Sequence, residues 1–557
     1  MSRRNDGIHE EHTRVFTAHE ELLEFTIREQ LGPLAESLVR TLNRNGPMTL
    51  KDLADTVKRE PFNNPLSQQQ QQGQFAGDVG KQVRSPIAVP VSDSLGDIAT
   101  DAAIKELMTR LLLHRVVQHD GETHTYSVAL GYGLLLRTLF PLIVQFFQRR
   151  YGETGVTLLM VFYQLAAVPF DVAMRLAMER RPALTEALRH CAREMERLGL
   201  IECVSAETPS SSHAQTPTPT PSLSASPDPC RLHAGHLLCE MLRDVIHREL
   251  LAGRHPDGGV VAAALMDGLT AASRARRLEM RPAGFPPAPP RTSPALPLRA
   301  LLRELPHTDP AVVVDTVSRM CRPDGDAVLS NDGTSSAAME GPYRFRYDNA
   351  VEAMRRDCCE RLVFARHGVL GVRIVKLLLM HHNMEDRMLA EEAIATLPRT
   401  REVLHAMMRD GYVRQQEVPK SGVMADRQPK NSIFLWSCSM EGELLPTVRV
   451  QVAKALRNVL ERLAMERQTL VAVTSVAGVS SSSTSSSTTT AAATTNTTTT
   501  TMAPTGSEMG AGLPSAINPQ RGTAEAINEM LRCRRAVAAL ESSASSLMGM
   551  MLVLDFY

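Results

Sequence analysis

The sequence has no excess charge of either sign: 61 Lys and Arg stand against 61 Asp and Glu in 557 residues. That excludes a histone-like chain held to DNA by its global field, so any nucleic-acid contact must come from local patches. None of its nine cysteines forms a C-x-x-C pair, and their odd, scattered count points to reduced thiols in a cytosolic or nuclear protein. No unbroken run of 18 apolar residues occurs. The richest stretch, LLLRTLFPLIVQFF, is interrupted by Arg137 and Pro141, so no membrane span is expected. The N-terminus, MSRRNDGIHEEHTR, has no apolar segment behind its charges, so no signal peptide is expected. P-loop, nucleophile-elbow, zincin and kinase signatures are all missing, as is any D-x-D-like acidic triplet for magnesium. His381 and His382 are adjacent, so on a helix they diverge by about 100°, and no further ligand follows at a metal-site spacing. The expectation is a non-catalytic chain with no cofactor and no metal.

What is present is an ordinary globular composition, long enough for several domains. Three stretches break it: a Gln-rich insert (60–94), a Ser/Thr/Pro linker (206–229) and a Ser/Thr-rich insert (471–521). Such compositions bury too little apolar surface to offset ordering entropy, so all three are expected to be disordered.

Between these stretches one theme recurs. A helix with apolar residues at spacings of three and four runs into a short segment of period two. Leu107, Leu111 and His114 lead to RVVQHDGETHTYSV. Leu184, Leu188, Cys191, Met195 and Leu198 lead to GLIECV. Val313, Val317 and Met320 lead to DAVLS and YRFRY. Val403, Leu404, Met407 and Met408 lead to DGYVRQQEV and SIFLW. Gly199 and Gly411 stand where a helix would stop. Shorter helices precede each occurrence, and in the last unit Asp386 is a candidate N-cap. Helices followed by a β-hairpin make a winged helix, a helix-turn-helix with a wing. The linking stretch DNAVEAMRRDCCERLVF puts Cys358 on its apolar face, which should leave its neighbour Cys359 off the core. After Trp436 two amphipathic patterns, from Leu445 and from Ile527, indicate an antiparallel helical hairpin. The fold class is mainly α with small β-hairpins (α+β). The expected domains are winged helix 1 (15–129), winged helix 2 (130–205), winged helix 3 (230–347), a linking helix with winged helix 4 (348–437), and a C-terminal helical hairpin (438–557).

This order of parts resembles the winged-helix subunit of the RNA polymerase III-specific heterotrimer, the C3 subunit family related to the alpha chain of TFIIE. The resemblance rests on REQLGPLAESLVRTLNRNGPMTLKDLA, on YRFRYDNAVEAMRRDCCERLVFARHG, and on GYVRQQEVPK with SIFLW and AKALRNVLERLAMER. The three inserts depart from it. The resemblance implies a nuclear, non-catalytic subunit that docks on the clamp of the largest polymerase subunit and joins the two other heterotrimer subunits. It also implies that the subunit helps recruit the initiation factor TFIIIB and open promoter DNA, for transcription of small untranslated RNAs.

Candidate site residues follow from charge and pattern. Arg414, Lys420, Arg427 and Lys430 outnumber the acids in the loop of the last wing, and Arg399, Arg401 and Arg409 lie on the preceding helix. On exposed surfaces these cations could reach phosphates. Leu456, Val459, Leu463, Val537 and Leu540 lie on the apolar stripe of the C-terminal hairpin, the candidate partner contact. Two other readings stand beside this one: a winged-helix scaffold without a DNA role, like those in cullin, proteasome-lid or ESCRT assemblies, and a free DNA-binding regulator. The regulator should carry a dense basic recognition helix, whereas ALTEALRHCAREMERLG and REVLHAMMRDG mix both charges.

Overall fold

The structure is a computed structural model. It describes residues 3–59, 100–203, 228–254, 259–271, 278–279, 281–305, 307–322, 327–331, 342–419, 432–482 and 519–557. The Gln-rich insert lies outside the described residues, as does most of the Ser/Thr/Pro linker and of the Ser/Thr-rich insert.

The described chain is mostly helical. Its first part holds α1 (Arg3–Leu31), α2 (Pro33–Asn45), α3 (Leu50–Arg59), α4 (Asp101–Leu113), β1 (Val117–Asp120) and β2 (Thr125–Val128). A short helical stretch leads to α5 (Phe140–Leu165), followed by β3 (Val168–Pro169), α6 (Phe170–Arg180), α7 (Thr185–Arg197), β4 (Ile201–Cys203) and β5 (Pro229–Leu232). Next come α8 (Ala234–Val245), α9 (Val260–Ala271), β6 (Leu296–Pro297), α10 (Leu298–Glu304), α11 (Pro310–Met320), β7 (Leu329–Asn331) and β8 (Pro342–Phe345). The last part holds α12 (Tyr347–His381), β9 (Asn383–Glu385), α13 (Asp386–Glu392), α14 (Leu397–Arg409), β10 (Arg414–Pro419), β11 (Ser432–Ser437), α15 (Leu445–Ser482) and α16 (Pro519–Asp555).

Among the described residues the strands form four small antiparallel sheets, β1-β2, β3-β5-β4, β6-β8-β7 and β10-β11-β9. Three of them carry a third, edge strand of two or three residues that no period-two run announces. A segment that short has no pattern of its own and is defined only by its partner.

Helices here stop by one repeated device. After α14, Gly411 takes a φ of 88°; its N–H donates to Met408 O (3.1 Å) and Tyr412 N–H donates to Met407 O (2.9 Å). After α7, Gly199 and Leu200 donate to Glu196 O and Met195 O in the same way. After α4 the left-handed residue is Arg115 (φ 56°), with Val116 donating to Leu111 O. After α13 it is Ile394 (φ 54°), with Ala395 donating to Ala390 O. This paired closure satisfies carbonyls that a helix end leaves free, and it turns the chain sharply.

Several expectations are corrected. Strand β5 pairs with β4, Ile201 opposite Leu232 and Cys203 opposite Cys230. It therefore joins residues 230–232 to the sheet of β3 and β4. Helix α15 runs on to Ser482, past residue 471 where order was expected to end. The N-cap of α13 is Glu385; Asp386 is the first helical residue and takes Arg401 instead. Cys358 and Cys359 are both buried, at 4% and 1% exposure, because α12 is covered on more than one side. On α4 the buried face is Ile104, Met108 and Leu111, one step round from Leu107.

The chain divides into two compact units, Met1–Lys454 with Met548–Tyr557, and Ala455–Leu547. In the first, Met551, Leu552, Leu554 and Phe556 are fully buried. Arg355 donates to Val553 O (3.1 Å) and Leu554 O (3.2 Å), and Arg449 donates to Leu554 O (2.9 Å). His19 of α1 meets Asp555 at 2.9 Å. In the second unit Arg467 of α15 pairs with Glu541 of α16 at 2.7 Å.

By length and composition, residues Ile527–Asp555 of α16 could cross a membrane, with a mean hydropathy of 1.5. The count of unbroken apolar runs missed this because Glu541, four serines and Gly549 interrupt the run, while the Ala, Val, Leu and Met around them keep the average high. The arginine donors on its last carbonyls are the setting of a helix end held inside protein.

Gly411→Ala is expected to cost about 1–2 kcal/mol, the penalty for a side chain in the left-handed region. The new Cβ would also press on Thr447 Oγ1 at 3.0 Å. Gly199→Ala should cost more, since its Cβ would run into the His236 ring. Unfolding midpoints of the two variants, ranked against the unaltered chain, check the order.

Candidate nucleic-acid and partner interface in the last winged helix

The last sheet and its helices form around one aromatic anchor. Trp436 of β11 is 2% exposed, pairs across the sheet with Met384 of β9 and Gln415 of β10, and meets the His405 ring edge-on at 5.3 Å. Val403, Leu404 and Met407 of α14, Leu389 and Ala390 of α13, and Ile374, Val375 and Leu378 of α12 are buried with it. Burying such aromatic and aliphatic side chains is the main favourable term in a domain of this size. Tyr412, fully buried, donates its hydroxyl to Gln451 Oε1, and burial raises its pKa. Cys438 Sγ points at Tyr412 O (3.3 Å), and burial pushes its thiol well above the usual range. The helix-to-wing corner is thereby fixed to the start of α15.

The hairpin register runs from Arg414 opposite Ser437 to Pro419 opposite Ser432. Its loop, with Lys420, Arg427 and Lys430, lies outside the described residues. The four described cations are placed as follows. Arg399 and Arg401 are on the first turn of α14, Arg409 is on its last, and Arg414 starts β10. Each has a carboxylate neighbour. Arg399 donates to Glu402 (2.6 Å), Arg401 to Asp386 (2.5 Å) and Arg414 to Glu443 (3.0 Å), while Arg409 lies 4.0 Å from Asp410. Arg409 is the most exposed of the four, with 82% of its side chain open. The counter-charges are the functional residues that sequence reasoning missed. Glu402 sits at i+3 from Arg399 and is readable as a helical pair. Asp386 and Glu443 lie far along the chain from their partners and carry no local signal.

Seven of the fifteen large, exposed apolar side chains among the described residues lie in this region, including Phe364, Met380, Met388, Ile394 (85% exposed) and Phe434. Self-neutralised cations beside exposed apolar groups are the chemistry of a protein contact more than of a phosphate-binding face.

The candidate partner residues divide. Leu456 is fully buried and Leu463 is 5% exposed, whereas Val459, Val537 and Leu540 are half-buried. Leu456 and Leu463 are thus occupied by the chain's own packing. Met465 (57%), Val471 (68%), Ile527 (50%) and Leu531 (41%) are the open apolar groups on α15 and α16.

A family model described as the POLR3C C-terminal winged-helix domain matches residues 359–438. The matched segment covers the second half of α12, α13, α14 and the whole β10-β11-β9 sheet. It is a winged-helix family and not a catalytic one. The chain is 30% identical over 139 residues to the DNA-directed RNA polymerase III subunit rpc3 of Aspergillus niger, covering 25% of this chain and 22% of that one. It is 32% identical over 111 residues to the subunit rpc3 of Aspergillus fumigatus (20% and 17%), and 29% over 128 residues to RPC-3 of Coccidioides immitis (23% and 19%). The matches therefore span about a fifth of the length of these relatives.

Trp436→Ala in this POLR3C-type domain is expected to cost about 3–5 kcal/mol, the range for emptying an aromatic core site. Arg409→Ala should shift stability by no more than about 0.5 kcal/mol. Chemical denaturation followed by far-UV circular dichroism separates the two.

Proposed function

We propose that the chain is a non-catalytic subunit of nuclear DNA-dependent RNA polymerase III, acting in transcription initiation. The observation that carries this is the POLR3C-type winged helix at residues 359–438 together with an rpc3 likeness that extends beyond it. In this reading the four sheets and their helices are four winged helices in tandem, and α15 with α16 is a C-terminal helical hairpin. The partners are the clamp of the largest subunit, the two other heterotrimer subunits and TFIIIB, with promoter DNA close by. Affinity capture of the tagged chain followed by mass spectrometry tests it. RNA polymerase III subunits should dominate the capture. Recovery of a different large assembly without polymerase would favour the scaffold reading, which the carboxylate-paired arginines of α14 keep in view.

Within this proposal the exposed apolar groups of α15 and α16 are the partner contacts. Ile527→Asp is expected to leave the unfolding midpoint nearly unchanged and to reduce recovery of the polymerase. Leu456→Asp should instead destabilise the chain by several kcal/mol, because a charge would replace a dry side chain. Equal recovery of polymerase with Ile527→Asp would count against the hairpin surface as a partner contact.

DNA contact is assigned to the wing cations Lys420, Arg427 and Lys430, with Arg409 as the most open cation of α14. Replacing the three wing residues by Ala should weaken duplex binding about equally across sequences. It should also lower the salt slope by about 0.9 for each phosphate that is no longer neutralised. A salt titration of DNA affinity reads this directly, and an unchanged slope would assign the wing to protein or solvent.

A further inference from the structure

Far from the last winged helix, the pairing of β4 with β5 sets Cys203 directly opposite Cys230. Both are free thiols, and their Sγ atoms lie 3.3 Å apart. The ladder fixes what kind of pair this is. His233 N–H donates to Leu200 O at 2.9 Å, so Leu200 and His233 are a hydrogen-bonded pair. Such pairs alternate with non-hydrogen-bonded ones along antiparallel strands, which puts Cys203 and Cys230 in the second class. In that class the Cα atoms are about 4.5 Å apart and the side chains approach most closely. A disulfide needs about 4.4–6.8 Å between Cα atoms and an S–S bond of about 2.03–2.05 Å. The backbone spacing of this class already meets the requirement, and the sulfurs have only about 1.3 Å to close.

The two thiols differ in access. Cys203 is half-buried and ends the edge strand β4, whereas Cys230 is 0% exposed on the central strand β5, between β3 and β4. A reagent in solvent can therefore meet Cys203 and not Cys230, and access is one of the two things that make a thiol reactive. Burial pushes the Cys230 thiol up to about 12, so it does not act on solvent reagents by itself. Its one sulfur neighbour across the ladder is Cys203. An accessible thiol backed by a buried one at contact distance is the arrangement in which a first oxidation is resolved as a disulfide.

We propose that Cys203 and Cys230 are a redox modification site, which takes a small disulfide from solvent and closes into a cross-strand bridge. Cys203 Sγ, as its thiolate, attacks one sulfur of the reagent RSSR. A Cys203–S–S–R bond forms, the reagent's S–S bond breaks, and RS⁻ leaves and takes up a proton. Cys230 Sγ then gives up its proton and attacks Cys203 Sγ, and the second RS⁻ leaves. The two thiols lose two electrons and two protons, and RSSR becomes two RSH. The bridge ties the end of α7, through β4, to β5 and the start of α8, and it closes the Ser/Thr/Pro linker into a ring. The site does not depend on the polymerase-subunit reading.

No Lys or Arg lies between Arg197 and Arg231, so trypsin releases both cysteines in the single peptide 198–231. The full-length chain is treated with oxidised glutathione, alkylated with iodoacetamide, digested without reductant and weighed by mass spectrometry. The peptide should be about 2 Da lighter than the dithiol and carry no alkyl group, and dithiothreitol should restore the dithiol. In Cys230→Ser the reaction should stop at a glutathione adduct on Cys203. In urea the yield of bridge relative to adduct should fall by about tenfold or more, because the sheet no longer holds the two sulfurs together. A lasting adduct on Cys203 in the unaltered chain would mean that Cys230 does not reach it. Two alkylated thiols would mean that the reagent does not reach Cys203. An equal yield in urea would mean that nearness in sequence, and not the sheet, pairs them. Each of these overturns the proposal. If Cys230→Ser fails to fold, the comparison of native and urea-treated unaltered chain decides by itself.

Discussion

The first unit depends on how the end of its last helix is held. Helix α16 ends inside protein, where the carbonyls of its final turn would otherwise be orphaned at the negative end of the helix dipole. Arg355 of α12 and Arg449 of α15 both donate to Leu554 O, and Arg355 also reaches Val553 O. Arg281 donates to Tyr557 O, and His19 of α1 holds Asp555. Burial lowers the pKa of Arg355 to about 10, with the neighbouring Arg449 adding to it, so three cations share this site against one carboxylate and a row of carbonyls. Residues from the beginning, middle and end of the chain meet on one helix terminus. Segments that long would drift apart entropically without such a common anchor.

Around this anchor the chain repeats one local solution. A helix ends in a left-handed residue, doubles back by paired carbonyl closure, and delivers the chain into a strand or the next helix. The strands are short, so each sheet is stable only because helices cover it. The same economy shapes the last winged helix. Its arginines are tethered to carboxylates that hold α13, α14 and the start of α15 in register. The cations that hold the domain together are therefore less available to phosphate. Exposed apolar side chains, Ile394 and Phe434 among them, stand beside these paired cations, which is the composition of a protein contact.

Much of this was legible from residue order. The switch from helical to period-two pattern located the helix-to-strand corners after Leu113, Arg197, Met320 and Arg409. Gly199 and Gly411 marked two of the stops, because glycine alone enters the left-handed region without steric cost. Trp436 was recognisable as core, and Val448 and Val452 as part of one apolar stripe, whereas Leu456 on the same stripe was expected to meet a partner and is buried within the chain. Balanced charge pointed away from a histone-like chain, and missing motifs pointed away from catalysis. These are properties of nearest neighbours and of one helical turn, and sequence contains them in full.

Tertiary structure decided the remainder. Arg115 and Ile394 take the same left-handed stop as the glycines, which only packing can impose on a side chain that disfavours it. Strands β3, β6 and β9 exist through pairing with distant segments, and β5 joined the second sheet across a long linker for the same reason. Cys359 is buried because α12 is covered on two sides, which no single amphipathic face reveals. The pairing of Arg401 with Asp386 and of Arg414 with Glu443 needed three-dimensional proximity, as did the seating of Arg137 against Tyr163. Period and turn chemistry are local and so readable in one dimension, whereas burial, charge pairing and cavity shape arise from residues that only folding brings together.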